Sequence, residues 1–343
     1  MISTRFFPVL CFAVVLAGSQ AKPDERGMDE GAVEPWHLNT SFKLSTLLSD
    51  YSHDQRRFQG DQSALGLYRL RFDLKRRFAQ QVNTHVAYEH SGRWRSRDRT
   101  VFRSGILPSV SEVPFRLHPF YDDIVKENRF TAFHELDRAL ISFHPDWGEV
   151  TVGRQAIGLG RGRLFSAVDM FAPFSPLEVD REWRRGVDAL RAEYRFSPTG
   201  SLDAILAGGE TWDDSAFVLR ARGYAGNLDA ALLGGKRGED KFFAGVFSSV
   251  LGDAEAHGEL AVFHIPEPHP DGGPLGDDRF VPKLLLGSSY TFAVGNGLSL
   301  LGEYHYSGFG VKDISDAGTL FSMPGYEKWL VRGDTQILGR HAV

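Results

Sequence analysis

Apolar and polar residues alternate along most of this chain. In residues 67–75, which read Leu-Tyr-Arg-Leu-Arg-Phe-Asp-Leu-Lys, every second side chain is apolar and most of those between are charged. Successive side chains of a strand point to opposite faces, whereas in a helix these charges would surround the whole cylinder. The pattern therefore predicts a strand with one face in contact with water.

The same alternation predicts thirteen strands and no helix. They lie near residues 37–49, 63–76, 81–91, 130–143, 149–156, 187–196, 202–209, 215–224, 228–236, 241–251, 256–265, 281–292 and 298–307. Residues 130–143 and 149–156 alternate poorly. Arg154 falls in the same phase as Val150 and Val152, which predicts a β-bulge at this point.

The connections between the predicted strands are long and short largely in turn, and the short ones carry Gly and Asn turn signals such as Gly295-Asn296-Gly297. Outer-membrane barrels have short periplasmic turns and longer extracellular loops, and a sheet in lipid must close because an open edge leaves main-chain groups unpaired. We therefore predict an all-β fold, an antiparallel transmembrane β-barrel over residues 36–343, with about 13–14 strands present.

An odd strand number is unusual for a bacterial barrel. A fourteenth strand would begin at Gly339-Arg340-His341, where the chain stops. We therefore expect either a C-terminally shortened sixteen-stranded barrel or one further weak strand.

The N-terminal residues are typical of an export signal. Arg5 precedes an almost wholly apolar run, and Ser19-Gln20-Ala21 resembles a cleavage site. The alternative, a membrane anchor, requires about 20 apolar residues. We predict a signal peptide over residues 1–21, a periplasmic segment over 22–35, and location in the bacterial outer membrane.

Composition limits the chemistry of the chain. With 39 Lys and Arg against 44 Asp and Glu, it lacks the basic excess that nucleic acid requires, and its single Cys excludes Cys-based metal sites. No His-x-His or His-Glu-x-x-His spacing occurs, and prolines follow Gly158–Gly162 where a phosphate loop would need a helix. We expect no cofactor, no metal and no enzymatic activity.

Two alternatives to these expectations remain open. Glu303 and His305 share one phase of a strand and could form half of a Ser-His-acid site. Asp271, Asp277 and Asp278 lie in a predicted external loop and could touch Ca²⁺, although an ordinary solvated loop fits their spacing better.

The loop over residues 157–186 is rich in charge, Gly and Pro, and its length indicates a function. We predict that it folds into the barrel as a constriction, the alternative being an external loop whose charges pair with one another. The predicted constriction residues are Arg161, Arg163, Asp169, Asp180, Arg181, Glu182, Arg184 and Arg185. With Glu178 the loop holds four acids against five arginines. We therefore expect a modest preference for anions.

The charged phase of the strands supplies a predicted lumen wall. Its members include Arg69, Arg71, Glu89, Arg191, Arg220, Arg222, Lys283 and Glu303. The interpretation is a porin-like channel for passive passage of small polar or charged solutes; the alternatives are an export or secretion conduit that works with periplasmic partners and, third, a barrel enzyme. The expected partners are outer-membrane lipid, small solutes and the barrel-assembly machinery.

Residues 137–195 resemble a group of proteobacterial outer-membrane porin-like barrels, similar in kind to the alginate-export porin-like family. The matching positions are Asp137, Arg138, Gly153, Arg154, Gln155, Gly160, Gly162, Arg163, Asp169, residues 173–176, Asp180, Glu182, Arg184 and residues 186–189. Leu159 departs from the pattern, since an aromatic residue is common there, and the chain ends where such relatives continue. The resemblance implies an outer-membrane barrel and names no solute.

Overall fold

The computed structural model confirms an all-β, antiparallel fold. It describes residues 10–17, 35–50, 62–79, 81–96, 113–171, 184–266, 279–295, 297–310 and 340–342. The strands are β1 Leu10–Ala17, β2 His37–Asp50, β3 Gln62–Ala79, β4 Val82–Arg95, β5 Tyr121–Lys126, β6 Phe130–Phe143, β7 Gly148–Gln155, β8 Val187–Ser197, β9 Gly200–Ala207, β10 Ala216–Ala225, β11 Leu228–Arg237, β12 Asp240–Leu251, β13 Ala254–His264, β14 Phe280–Phe292, β15 Leu298–Ser307 and β16 Arg340–Ala342. Within the described ranges, no helix is long and apolar enough to cross a membrane.

The chain divides into two compact units. Unit 1 contains residues 1–111 and 118–142, and unit 2 contains residues 112–117 and 143–343. In unit 1 the strands follow the order β1-β2-β3-β4-β6, and β5 pairs with β6. In unit 2, β7 to β16 pair antiparallel in simple sequence order.

All thirteen predicted strands are present, and the described part of the chain contains three more. Strand β16 begins at Arg340, where the sequence predicts the start of a fourteenth strand, while β1 lies inside the predicted signal peptide and pairs with β2. Strand β5 falls in a segment predicted as loop. Its sequence Tyr-Asp-Asp-Ile-Val-Lys does not alternate, and its register shifts between Asp123 and Val125.

The two faces of the strands differ in each unit. In β3, Arg71 is 1% exposed and its neighbour Phe72 is 36% exposed; in β13, Glu259 is 1% exposed and Leu260 is 52% exposed. We call the face with the buried charges the inner face and the face with the exposed apolar side chains the outer face. This is the reverse of a soluble sheet protein, whose charged residues are mostly exposed.

Turns on one side of unit 2 are tight. Residues 226–227 join β10 to β11 and residues 252–253 join β12 to β13. Gly226 and Gly252 have φ values of 60° and 65°, a left-handed conformation that favours glycine. The other side carries the long connections at 156–186 and 265–279, although residues 238–239 make a tight turn there too.

The predicted bulge at Arg154 does not occur between β7 and β8. The register of β7 with β8 runs without a shift from Gly148 opposite Tyr194 to Gln155 opposite Val187. Arg154 keeps the phase of Val152, and its guanidinium is buried because it donates to both carboxylate oxygens of Asp188, at 2.8 and 2.9 Å. A charged residue in the outer phase is therefore accommodated by pairing with its cross-strand neighbour.

Candidate functional site

A buried ion-pair network occupies the inner face of unit 1, centred on Arg71 of β3. The Arg71 guanidinium donates from Nε to Asp73 Oδ2 at 2.8 Å and from Nη1 to Asp137 Oδ2 at 2.6 Å. Glu89 Oε2 lies 3.4 Å from the same Nη1. Alternation in β3, β4 and β6 brings these four side chains together, since each occupies the inner phase of its strand.

Neighbouring groups complete this network. Arg69 Nε lies 2.9 Å from Glu89 Oε1, Arg138 Nη1 lies 2.7 Å from Asp137 Oδ2, and His85 Nε2 lies 2.7 Å from Asp73 Oδ1. Each acid bonded to Arg71 therefore has a second basic neighbour. Buried charges are tolerated when they are paired and hydrogen-bonded in this way.

The inner face of unit 2 carries two acids that each bind two arginines. Asp203 of β9 accepts from Arg191 Nη2 at 2.8 Å and from Arg220 Nη2 at 2.6 Å. Asp229 of β11 accepts from Arg222 Nη2 at 2.7 Å and forms an ion pair with Arg161 of the β7–β8 connection. We call these two groups the Arg–Asp–Arg triads; each combines two positive charges with one negative charge.

Residues 156–171, which we call the inner segment, lie against the inner face of unit 2. Their apolar side chains join one buried cluster with residues of the strands. From the segment the cluster contains Ile157, Leu159, Phe165, Ala167, Val168, Met170 and Phe171, and from the strands it includes Ile205, Val218, Leu233, Phe242, Ala244, Val246, Ala261, Phe263, Val281 and Leu285. Burial of this apolar surface holds the segment on the strands.

Glu259 of β13 is the first polar anchor of the inner segment. Its Oε1 accepts the main-chain N–H groups of Arg161 at 2.5 Å and Gly162 at 2.7 Å. Its Oε2 accepts the N–H of Ala167 at 2.6 Å and the hydroxyl of Ser166 at 2.7 Å. The carboxylate thus accepts hydrogen bonds from main-chain N–H groups of a turn that would otherwise be buried without partners.

Glu303 of β15 is the second anchor. Its carboxylate accepts main-chain N–H groups from Arg163 at 2.7 Å and Leu164 at 2.8 Å, and His257 Nε2 lies 2.9 Å from it. His305, predicted as its possible catalytic neighbour, instead stacks on Phe165. The acid considered for a hydrolase site is thus hydrogen-bonded to the inner segment.

Inside the segment, Asp169 holds the glycine-rich turn. Its Oδ1 accepts the main-chain N–H groups of Leu159 at 2.6 Å and Gly160 at 3.0 Å, while Oδ2 accepts from Arg184 Nη2 at 2.6 Å. The acid therefore links the start of the inner segment to the residues just before β8.

The structure brings together only part of the predicted constriction. Arg184 meets Asp169, as the prediction requires, but Arg161 pairs with Asp229, and Arg163 Nη2 lies 2.9 Å from Glu255 Oε2 of β13. Arg185 is half-buried. Asp180, Arg181 and Glu182 lie outside the described residues, as does the Asp271–Asp278 loop. Arginines predicted to pair within the loop are therefore balanced in part by acids of the strands.

The predicted wall residues all lie in the inner phase of their strands. Arg69, Arg71 and Glu89 belong to the network of unit 1; Arg191, Arg220 and Arg222 belong to the triads; and Glu303 is an anchor. Lys283 of β14 is buried on the same face. Among the described residues, no group of three or more His, Cys, Asp and Glu side chains could hold a metal ion.

Several residues of the site escaped the sequence analysis. They are Asp73, Asp203, Asp229, His257 and Glu259. The alternation could have identified Glu259 as an inner-face residue. It shares its strand phase with Ala261 and Phe263, whereas Leu260 and Val262 lie in the opposite phase. Its partners could not be found in this way, since main-chain donors leave no trace in residue type.

No protein-family model matches the sequence, and no curated protein matches it. Solved structures that it resembles include OmpT, an outer membrane protein of Vibrio cholerae, in a form with loop L8 deleted: 11% identity, 81% of this chain, 82% of that chain, TM-score 0.45. Another is OccK7 of Pseudomonas aeruginosa: 11% identity, 81% of this chain, 79% of that chain, TM-score 0.33. At these values the likeness carries no weight for function, and the resemblance to the alginate-export porin-like family stays a prediction.

Proposed function

We propose that this chain is an outer-membrane porin-like channel through which small polar or charged solutes diffuse. The observation that carries the proposal is the reversed burial of its strands. Charged side chains lie on the inner face, and large apolar side chains such as Leu219, Leu260 and Phe243 are exposed on the outer face. Lipid-facing strands of membrane barrels have this alternation, because the hydrocarbon layer accepts apolar side chains and rejects charge.

The antiparallel pairing supports the same proposal. Each strand from β8 to β14 has a hydrogen-bonded neighbour on both sides. In lipid, main-chain polar groups have no water to bind, so a strand needs partners at both edges. Location in the outer membrane, export with a cleaved signal peptide and insertion by the barrel-assembly machinery belong to this proposal.

The Arg–Asp–Arg triads supply the polar side chains along which a solute would pass. Arg161, Arg191 and Arg222 retain partial exposure. Glu193 Oε2 also lies 3.4 Å from Arg191 Nη2 and offsets the excess of the Asp203 triad, which leaves the Asp229 triad with one positive charge in excess. The local field there favours anions, in keeping with the modest anion preference expected from the loop. No covalent step and no cofactor form part of the proposed function.

The test is conductance of the purified protein in a planar bilayer. We expect stepwise ion currents from the protein alone, with reversal potentials under a salt gradient that indicate anions. Loss of the currents on heat unfolding is the control. A folded protein that inserts into the bilayer and conducts nothing would rule out a passive channel.

A second candidate, an export or secretion conduit that works with periplasmic partners, is favoured by the apolar cluster of the inner segment. This cluster keeps part of the inner face of unit 2 dry, which suits a channel that opens only when a partner moves the segment. Conductance that appears only after addition of a periplasmic extract would favour the conduit over the passive channel.

A further inference from the structure

We propose that Glu259 and Glu303 are positioning residues that hold the inner segment against the strands and thereby set the bore of the channel. The effect on the bore rests on the proposed channel function, whereas the anchoring rests on the hydrogen bonds of the two acids. The two acids lie on β13 and β15, far along the chain from the segment that they bind.

Glu259 accepts hydrogen bonds from five donors of the inner segment. Glu259 receives N–H groups from Arg161, Gly162, Ala167 and Val168 together with the Ser166 hydroxyl. A carboxylate has two oxygens with about four lone-pair sites, so these donors saturate it. Hydrogen bonds to a charged acceptor are stronger than neutral ones, and four of the bonds here are 2.5–2.7 Å long.

The inner segment is also shaped to accept a carboxylate. A Cβ added to Gly160 would lie 2.3 Å from Ser166 Oγ and 2.6 Å from Glu259 Oε1. A Cβ added to Gly162 would lie 1.8 Å from the main-chain oxygen of Phe165. A side chain at Gly162 would strike main chain, so this glycine is required for the turn of the segment. A side chain at Gly160 would force the Ser166 hydroxyl and the Glu259 carboxylate, which are hydrogen-bonded to each other, to shift.

Geometry also separates the two acids from their neighbours. Glu255 lies on the same face of β13 as Glu259, but it binds the Arg163 side chain and is partly exposed. An exposed pair of this kind contributes little to stability. Glu255→Gln therefore removes the same charge from the same strand, but it takes no hydrogen-bond acceptor away from the main-chain N–H groups of the segment. This makes it the matched control.

Replacement of Glu259 by Gln leaves one acceptor oxygen and turns an amide NH₂ group toward main-chain donors. Several buried N–H groups would then lack partners, and each such group is costly. The segment should detach from the strands locally while the strands themselves stay paired. Glu303→Gln acts in the same way on Arg163 and Leu164.

The experiment combines accessibility with conductance in the full chain carrying Cys11→Ser. Val168, which is buried and close to Cys in size, is replaced by Cys as a reporter for a water-soluble maleimide. We expect labelling about tenfold faster with Glu259→Gln or Glu303→Gln and little changed with Glu255→Gln. Gly160→Ala, which keeps both carboxylates, should also speed labelling. Circular dichroism checks that every variant keeps its β-structure.

Single-channel conductance is then measured on the same proteins without the reporter. We expect Glu259→Gln and Glu303→Gln to give larger and noisier currents than the parent and Glu255→Gln. Equal labelling of all folded variants would overturn the anchoring role. Faster labelling with unaltered currents would overturn the effect on bore. Faster labelling with no current from any variant or the parent would support anchoring and overturn the channel function.

Discussion

The ring of Phe165 stacks on the imidazole of His305, with ring centroids 5.2 Å apart and planes 7° from parallel. Phe165 belongs to the inner segment and His305 to β15, two residues beyond Glu303. The stack therefore holds the inner segment against β15, the strand whose Glu303 carboxylate also binds the main chain of the segment. Apolar and polar contacts thus act on the segment at the same place.

Truncation of this aromatic contact should loosen the fold. We expect Phe165→Ala to lower the free energy of unfolding by about 3–5 kcal/mol, because a buried ring leaves a cavity in the apolar cluster. Urea unfolding of the protein folded in lipid vesicles measures the loss. Val294, an exposed residue in the turn between β14 and β15, is the control, and its replacement by Ala should have an effect within about 0.5 kcal/mol. Equal losses would contradict the buried position of Phe165.

Arg71 should matter more than any exposed arginine. Arg71→Met leaves Asp73, Glu89 and Asp137 without their shared partner, and breaking a buried ion pair costs about 3–5 kcal/mol. Arg195→Met is the control, since Arg195 is largely exposed and its pair with Glu193 is worth at most about 1 kcal/mol. The comparison uses urea midpoints in vesicles, and similar midpoints for both variants would argue against the network.

The assignment of faces can be tested by adding one charge. Leu260→Arg places a guanidinium on the outer face of β13 and should cost about 2–4 kcal/mol of insertion energy if that face meets lipid near the midplane. Ser289→Arg adds the same group on the inner face, opposite Glu255, and should be tolerated. Folding yield into vesicles separates the two, and an equally well-folded Leu260→Arg protein would mean that this face does not meet lipid.

Neutralising Asp229 should strengthen anion preference. Asp229→Asn leaves Arg161 and Arg222 without their common acid and adds one positive charge to the inner face. We expect the reversal potential under a salt gradient to shift toward anions. Asp253→Asn makes the same charge change in the tight turn between β12 and β13 and should leave the potential nearly unchanged. A shift of equal size in both would point to net protein charge as its source.

The export signal predicts a defined mature end. Protein extracted from outer membranes should begin at Lys22, because Ser19-Gln20-Ala21 fits the small-residue rule for signal cleavage. Edman sequencing or intact-mass measurement after cell fractionation gives the answer. A mature protein that retains residues 10–17 would keep β1 paired with β2 and would contradict the signal peptide.

Strand positions were predictable because alternation is local. An outer-face residue such as Phe72 and an inner-face residue such as Arg71 are forced into successive places by the strand itself. The prediction failed at β5, where Asp122 and Asp123 interrupt the pattern although the partner strand β6 begins only a few residues later. At Arg154 a charge is accepted in the outer phase because it pairs with Asp188, 34 residues further along the chain, and so distant a partner leaves no local signal.

The inner segment was harder to predict. Its length, glycines and charges pointed to a role, but the charges suggested salt bridges within the loop. Instead Ile157, Phe165 and Phe171 pack against the strands, and the key acid contacts are made by main-chain groups. Neither residue type nor spacing reveals which N–H groups a distant Glu will accept.

Main-chain recognition of the inner segment has a consequence for design. Every residue except proline presents the same main-chain N–H group. The hydrogen bonds to Glu259 and Glu303 therefore depend on the main-chain conformation and not on the side chains at 161, 163 and 164. Side chains at these positions can thus be changed without loss of the anchoring hydrogen bonds, whereas a proline at any of them would remove a donor. A new side chain at 161 would also remove the ion pair with Asp229 and so retune solute preference through that triad while both anchors stay in place.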